Sequence, residues 1–275
     1  MRLDAATLSL ERRTVGECID LALVFYRTHF WRISLMTLLF AGPLTALVAY
    51  SATTSGGGWF LFLMTYFFGT PFLGALIVAA TGHHVFGDPF SLKMALTHVA
   101  RRLPTLVLLL PLSRVLVAIL ASLCVGMLWV PYVARYGFVS EVILLERLSG
   151  RAIARRLEDI QRGRFFEASG RVVSIVSFTL LTGISLFIAV DMLATLLFDF
   201  PIFFGKLSSA FSYSDWGTLF SYDPWVVGSF SLLWWFMYPI ARLAWFFCYL
   251  DVRIRSEGWD IEIDYRIQAA RLAHA

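Results

Sequence analysis

The chain has 275 residues, of which 59% are hydrophobic and only 15% charged. A water-soluble domain must cover itself with more polar atoms than this, so an ordinary soluble globular fold is excluded and hydrocarbon becomes the solvent for much of the chain. The 23 Lys and Arg against 19 Asp and Glu leave a net charge of +4, but the basic residues sit beside apolar runs instead of forming one patch, which points to anionic lipid headgroups and away from nucleic acid.

Residues 1–13 form a polar lead-in with acids and bases where a cleavable signal would carry its apolar core, so the first span is expected to be an uncleaved anchor. Thr14 and Glu17 have the spacing of a capping box, opening a helix with Ile19, Leu23 and Tyr26 on one face; it is expected to lie at the membrane interface. The first span follows at 30–51, with Pro43 a kink site. A short uncharged turn leads to a second span at 59–80, where Gly69, Pro71 and Gly74 predict a bend or a close helix contact. After Thr81, Ser91 caps a further amphipathic helix with Leu92, Ala95, Leu96 and Val99 at helical spacing and Arg101 and Arg102 at its end. Spans three and four, at 104–127 and 128–145, are joined with almost no polar residue between them.

The interval 147–171, RLSGRAIARRLEDIQRGRFFEASGR, is the longest polar stretch between apolar runs. Ile153, Leu157 and Ile160 form an apolar stripe, while Arg155 with Asp159 and Glu158 with Arg162 are spaced as i,i+4 ion pairs. The fifth span is 172–198. An aromatic, serine-rich interval, 199–223, then favours the outer membrane interface, with Lys206 its only cation. The sixth span is 225–250, and the tail 251–275 contains WDIEI, which alternates like a short strand.

The expected fold is therefore all-α: a single integral membrane domain, 1–275, forming a polytopic helical bundle of about six spans, with interfacial amphipathic helices before spans one, three and five. Outside the apolar runs, every Lys and Arg but Lys206 falls in or beside the N-terminus, the interval after Thr81, the 147–171 interval or the tail. This positive-inside bias places those four regions and both termini in the cytoplasm, as expected for a multi-pass protein of a bacterial inner membrane. FYRTHFWRI, HVARRLPTL and IQRGRFFEA each close an amphipathic helix before an odd-numbered span, a weak threefold repeat.

Three stretches, TVGECIDLALVFYRTHFWRI, EVILLERLSGRAIARRLEDIQRGRFFEA and YLDVRIRSEGWDIEI, resemble recurring features of the bacterial glycerophosphoryl diester phosphodiesterase membrane-domain family and its uncharacterised integral-membrane relatives. The resemblance runs over nearly the whole chain and implies a six-span helical membrane domain. It does not extend to the phosphodiesterase chemistry, whose His-Arg and Glu-x-Asp pattern the chain does not offer, nor is room expected for a catalytic barrel.

Charge within the apolar runs is the most informative feature. Arg114, Arg135, Glu141 and Arg242 each cost at least about 2.5 kcal/mol in hydrocarbon unless paired or wet. Glu141 is expected to neutralise Arg114 or Arg242. The surplus guanidinium then either holds a lipid phosphate or anionic solute, or snorkels to the interface while the pair only fixes helix register. The basic helix, with Arg151, Arg155, Arg156, Arg162 and Arg164, is expected to face acidic lipid or a membrane or cytosolic protein partner, on top of its topogenic role. His83, His84 and Asp88 are the nearest approach to a metal site, but adjacent histidines point apart and no third ligand stands at helical spacing, so no metal is expected. Cys18, Cys124 and Cys248 show no paired spacing and read as free thiols. No catalytic motif or phosphate-binding glycine loop is present in the sequence, and no cofactor is expected. The leading functional expectation is a non-enzymatic scaffold or accessory subunit in envelope or lipid homeostasis, with a transporter or lipid-handling protein as the alternative.

Overall fold

The structure is a computed structural model and describes residues 13–85, 87, 89–123, 129–146, 148–204, 206 and 223–257. Among these, every regular element is a helix: α1 Val15–Thr28, α2 Phe30–Ser55, α3 Gly58–Val85, α4 Leu92–Arg101, α5 Leu103–Leu123, α6 Trp129–Tyr136, α7 Val139–Leu145, α8 Arg151–Gln161, α9 Phe165–Phe198 and α10 Pro224–Glu257. The WDIEI stretch, most of the aromatic interval and the turn between the third and fourth apolar runs lie outside the described residues.

Four helices, α2, α3, α9 and α10, are long and apolar enough to cross a bilayer, with mean hydropathies of 1.8, 1.9, 2.3 and 1.2. A fifth is reached if α4 and α5, bent by 82° at their junction, are taken as one span. Much of this surface suits only an apolar solvent: Leu181, Leu193, Leu196 and Leu197 on α9 are 53–80% exposed. Among the described residues the chain is thus all-helical, with four or five helices suited to a bilayer. The apolar run 128–145 departs from a single continuous helix, because it is divided between α6 and α7 around Gly137 and Phe138. Trp245 supplies the reason. Its ring lies 2.6 Å from where a Cβ on Gly137 would stand, and its indole N–H donates to the Gly137 carbonyl at 3.0 Å.

The chain divides into two compact units, 1–28 with 74–175 and 241–275, and 29–73 with 176–240. In the second, Val48, Ala52, Phe62 and Val227 form a buried core, flanked by Trp59, Tyr66, Phe230 and Trp234. Edge-on aromatic contacts run through it, with Trp59 and Phe230 centred 5.1 Å apart. The close contact expected near Gly69 is made by Trp235, whose ring lies 2.7 Å from a Cβ built there. Asp191, 1% exposed, accepts the backbone N–H groups of Ile202, Phe203 and Phe204 at 2.7, 2.8 and 2.9 Å and so folds the segment after α9 back on itself. Asp223 caps α10 through the Trp225 N–H at 2.9 Å and pairs with Lys206 at 2.5 Å.

The first unit carries the amphipathic helices. The capping box at α1 forms: the Thr14 N–H donates to Glu17 at 2.6 Å and the Glu17 N–H to Thr14 Oγ1 at 3.3 Å. Those bonds hold the Glu17 carboxyl below the ordinary carboxylate range. The buried face of α1 is Cys18, Ile19, Ala22 and Phe25, rotated from the expected stripe, so that Leu23 is 37% exposed. Phe25 decides the rotation by meeting the rings of His84, Phe90 and Phe247. Ser91 caps α4 through the Met94 N–H, and α8 buries Ile153, Leu157 and Ile160 as its periodicity requires. Glycines with left-handed backbone, Gly150 at φ 58° and Gly163 at φ 75°, bound α8 at either end.

Candidate functional site

All of the following lies in the first unit. On α7, Glu141 is fully buried and meets Arg242 of α10, itself 9% exposed, with 2.7 Å between Nη2 and Oε1. Arg242 also donates to Ser140 Oγ at 2.5 Å, and Ser140 in turn donates to Glu141 Oε2 at 3.0 Å. Of the two partners expected for Glu141, the residue in contact is Arg242. Arg114 lies half-buried on α5, and Arg135 is exposed on α6, where it pairs with Glu158 at 3.0 Å. Nearer the end of α7, Glu146 gathers three groups: the Tyr249 hydroxyl donates to it at 2.6 Å, Arg156 Nε at 2.6 Å, and Arg253 Nε stands 3.7 Å away. Arg156 and Arg253 both continue to Glu257.

A second network went unforeseen. Arg171 and Asp251, 3% and 2% exposed, pair at 2.6 Å. Arg171 also reaches Glu167 one turn back at 2.7 Å, Asp251 reaches Arg255 one turn on at 3.0 Å, and Arg255 closes the circuit on Glu167 at 3.2 Å. The result is a ring of two cations and two anions in alternating order, which lowers the cost of burying each charge. It also fastens the N-terminal segment, since Asp251 accepts the Arg13 N–H at 2.7 Å and Arg255 donates to the Arg13 carbonyl at 2.7 Å. Arg171 donates further to the Cys248 carbonyl at 3.0 Å. Each member was visible as a charge at the edge of an apolar run, but nothing local indicates that residues 80 positions apart meet.

The basic helix is not uniformly outward. Arg151, Arg155 and Arg162 are exposed, whereas Arg156 turns into the Glu146 and Glu257 cluster and Arg164 donates to the carbonyls of Val252 and Arg255 at 3.3 and 3.4 Å. Two of the five arginines expected to face headgroups or a partner therefore hold α8 and the start of α9 to α10 instead. The i,i+4 pairs expected on α8 are also replaced. Glu158 is taken by Arg135, and among the described residues neither Arg155 nor Arg162 lies within 4 Å of a carboxylate. Between them opens a groove of about 540 Å³ lined by Arg135, Arg155, Glu158, Asp159, Gln161, Arg162, Gly163 and Phe165.

His83 stacks against His98 with ring centroids 4.2 Å apart, and His84 packs on Phe25, so the adjacent histidines do diverge; Asp88 lies outside the described residues. Among the described residues no three His, Cys, Asp or Glu side chains converge as metal ligands. Cys18 and Cys248, both buried and unbridged, are neighbours, a proximity that their 230-residue separation conceals; Cys124 lies outside the described residues. Set against known protein families, characterised proteins and solved structures, the chain matches none.

Proposed function

We propose that this chain is a non-enzymatic, six-span scaffold or accessory protein of a bacterial inner membrane, with both termini and the 147–171 interval in the cytoplasm, serving envelope or lipid homeostasis. The observation that carries this reading is how the charges are disposed of. Glu141 and Arg242 pair with each other, Arg171 and Asp251 close into a neutral ring, and the 147–171 interval keeps Arg151, Arg155 and Arg162 exposed. A transporter that moved an anion past Glu141 and Arg242 needs those groups in contact with water. Paired and buried, they serve helix register instead, and the outward arginines are left to meet anionic headgroups. The 82° bend at Arg101 and Arg102 supports an interfacial α4 leading into a third span. The stretches that resemble the phosphodiesterase membrane-domain family, whose described residues fall in α1 and the start of α2, in α7–α8 and the start of α9, and at the end of α10, imply the same architecture.

The side on which α8 lies decides the topology. With Cys124 replaced by Ser, an Arg155→Cys variant is expected to react with a membrane-impermeant maleimide in inverted vesicles and not in intact cells. Labelling of intact cells overturns the cytoplasmic assignment. In sealed vesicles containing the purified protein, flux of anionic solutes or lipid across the bilayer is expected to equal that of protein-free vesicles. Flux that Glu141→Gln or Arg242→Gln abolishes would replace the scaffold by the transport reading.

A further inference from the structure

We infer that the groove between α6, α8 and the first turn of α9 is a discrete site for one phosphate-bearing anion, the phosphodiester of an acidic lipid headgroup being the source its position favours. The inference rests on the cytoplasmic, lipid-facing placement of α8 proposed above. The lining side chains are three arginines, Arg135, Arg155 and Arg162, against Glu158 and Asp159. Arg135 and Glu158 cancel through their contact at 3.0 Å. Arg155 and Arg162, seven residues and two helical turns apart, therefore project from nearly the same face of α8 with only Asp159 to offset them. One positive charge remains, which a phosphodiester, carrying one negative charge, matches.

Two further observations belong to the same place. Gln161 lines the groove beside Arg162 and adds an amide to the polar wall. Phe165 forms the groove's apolar end, and Phe166 beside it is 88% exposed, so a polar headgroup pocket passes directly into surface suited to the upper part of an acyl chain. Guanidinium pairs grip phosphate oxygens through charge-assisted hydrogen bonds, and at an exposed site such a grip weakens with salt.

The test uses the full chain in nanodiscs of phosphatidylcholine with and without phosphatidylglycerol, reading retained lipid by native mass spectrometry. Arg155→Gln with Arg162→Gln is expected to lower phosphatidylglycerol retention about tenfold. Arg27→Gln with Arg101→Gln removes the same charge from exposed positions outside the groove and is expected to leave retention unchanged. Glu158→Gln releases Arg135 and is expected to raise it, a gain that misfolding cannot mimic. Equal losses in the two double variants, or no gain with Glu158→Gln, overturn the site in favour of diffuse attraction. Excess inorganic phosphate serves as the soluble arm: no displacement supports the lipid source, while displacement that depends on Arg155 and Arg162 supports the phosphate site and reassigns it to soluble phosphate. Failure here with Arg155→Cys still labelled from the cytoplasmic side removes the groove alone and leaves the topology standing.

Discussion

At the residue scale, a buried charge is tolerated where partners satisfy it, by backbone N–H groups as at Asp191 or by opposite charges as at Asp251. Asp251 holds Arg171, the Arg13 backbone and Arg255 at once, so Asp251→Asn strands a guanidinium that is 3% exposed, with only half-exposed Glu167 left to balance it. Breaking a buried ion pair on one side costs about 3–5 kcal/mol, whereas losing an exposed pair costs about 0–1 kcal/mol. Arg135→Gln, which removes a pair whose side chains are 52% and 65% exposed, is therefore the matched comparison. Denaturant unfolding in micelles is expected to separate the two variants by several kcal/mol, and equal midpoints would mean that the ring is not holding the unit together. Glu141 was legible in the sequence because a carboxylate within an apolar run needs a partner, and few cations stand at a comparable depth. Arg171 and Asp251 were not, since each stands at the edge of an apolar run, where a charge is unremarkable and needs no partner.

At the element scale, periodicity located helices well and their ends and faces less well. The stripe of Ile153, Leu157 and Ile160 is buried as read, because a short polar helix has only one apolar face to bury. On α1 the apolar residues are spread widely enough for several faces to compete, and the aromatic contacts of Phe25 settle the choice. The division of the apolar run 128–145 came from tertiary packing that hydropathy cannot register. Gly137 lets Trp245 approach and donate to its carbonyl, which withdraws that carbonyl from the helical ladder. A Cβ at position 137 would stand 2.5 Å from the Val133 carbonyl oxygen and 2.6 Å from the Trp245 ring. Gly137→Ala is thus expected to destabilise by about 1–3 kcal/mol. Gly170→Ala, in open space on α9, is expected to be neutral or to stabilise by up to about 1 kcal/mol. Thermal unfolding of the two variants, read by the near-ultraviolet signal of the tryptophans, checks the contrast; a tolerated Gly137→Ala would remove Trp245 as the cause of the break.

At the scale of the whole molecule, the distinguishing property is the solvent the surface is built for. Leu181 on α9 is 69% exposed and Phe166, near the start of the same helix, is 88% exposed. In water the two positions are equivalent, and an aspartate at either would cost almost nothing, since surface substitutions away from packed contacts change stability little. In a bilayer they differ, because Leu181 falls within the apolar run and Phe166 lies beside the basic interval at its edge. A charged side chain near the centre of a span costs about 2.5–3.5 kcal/mol, and one at the interface far less. Leu181→Asp is therefore expected to reduce the membrane-inserted fraction of newly made protein severalfold, as read by reporter fusions on the two sides of α9, while Phe166→Asp inserts like the parent chain. Were Leu181→Asp instead to insert normally, or to render the protein soluble without detergent, the exposed leucines of α9 would be facing something other than hydrocarbon.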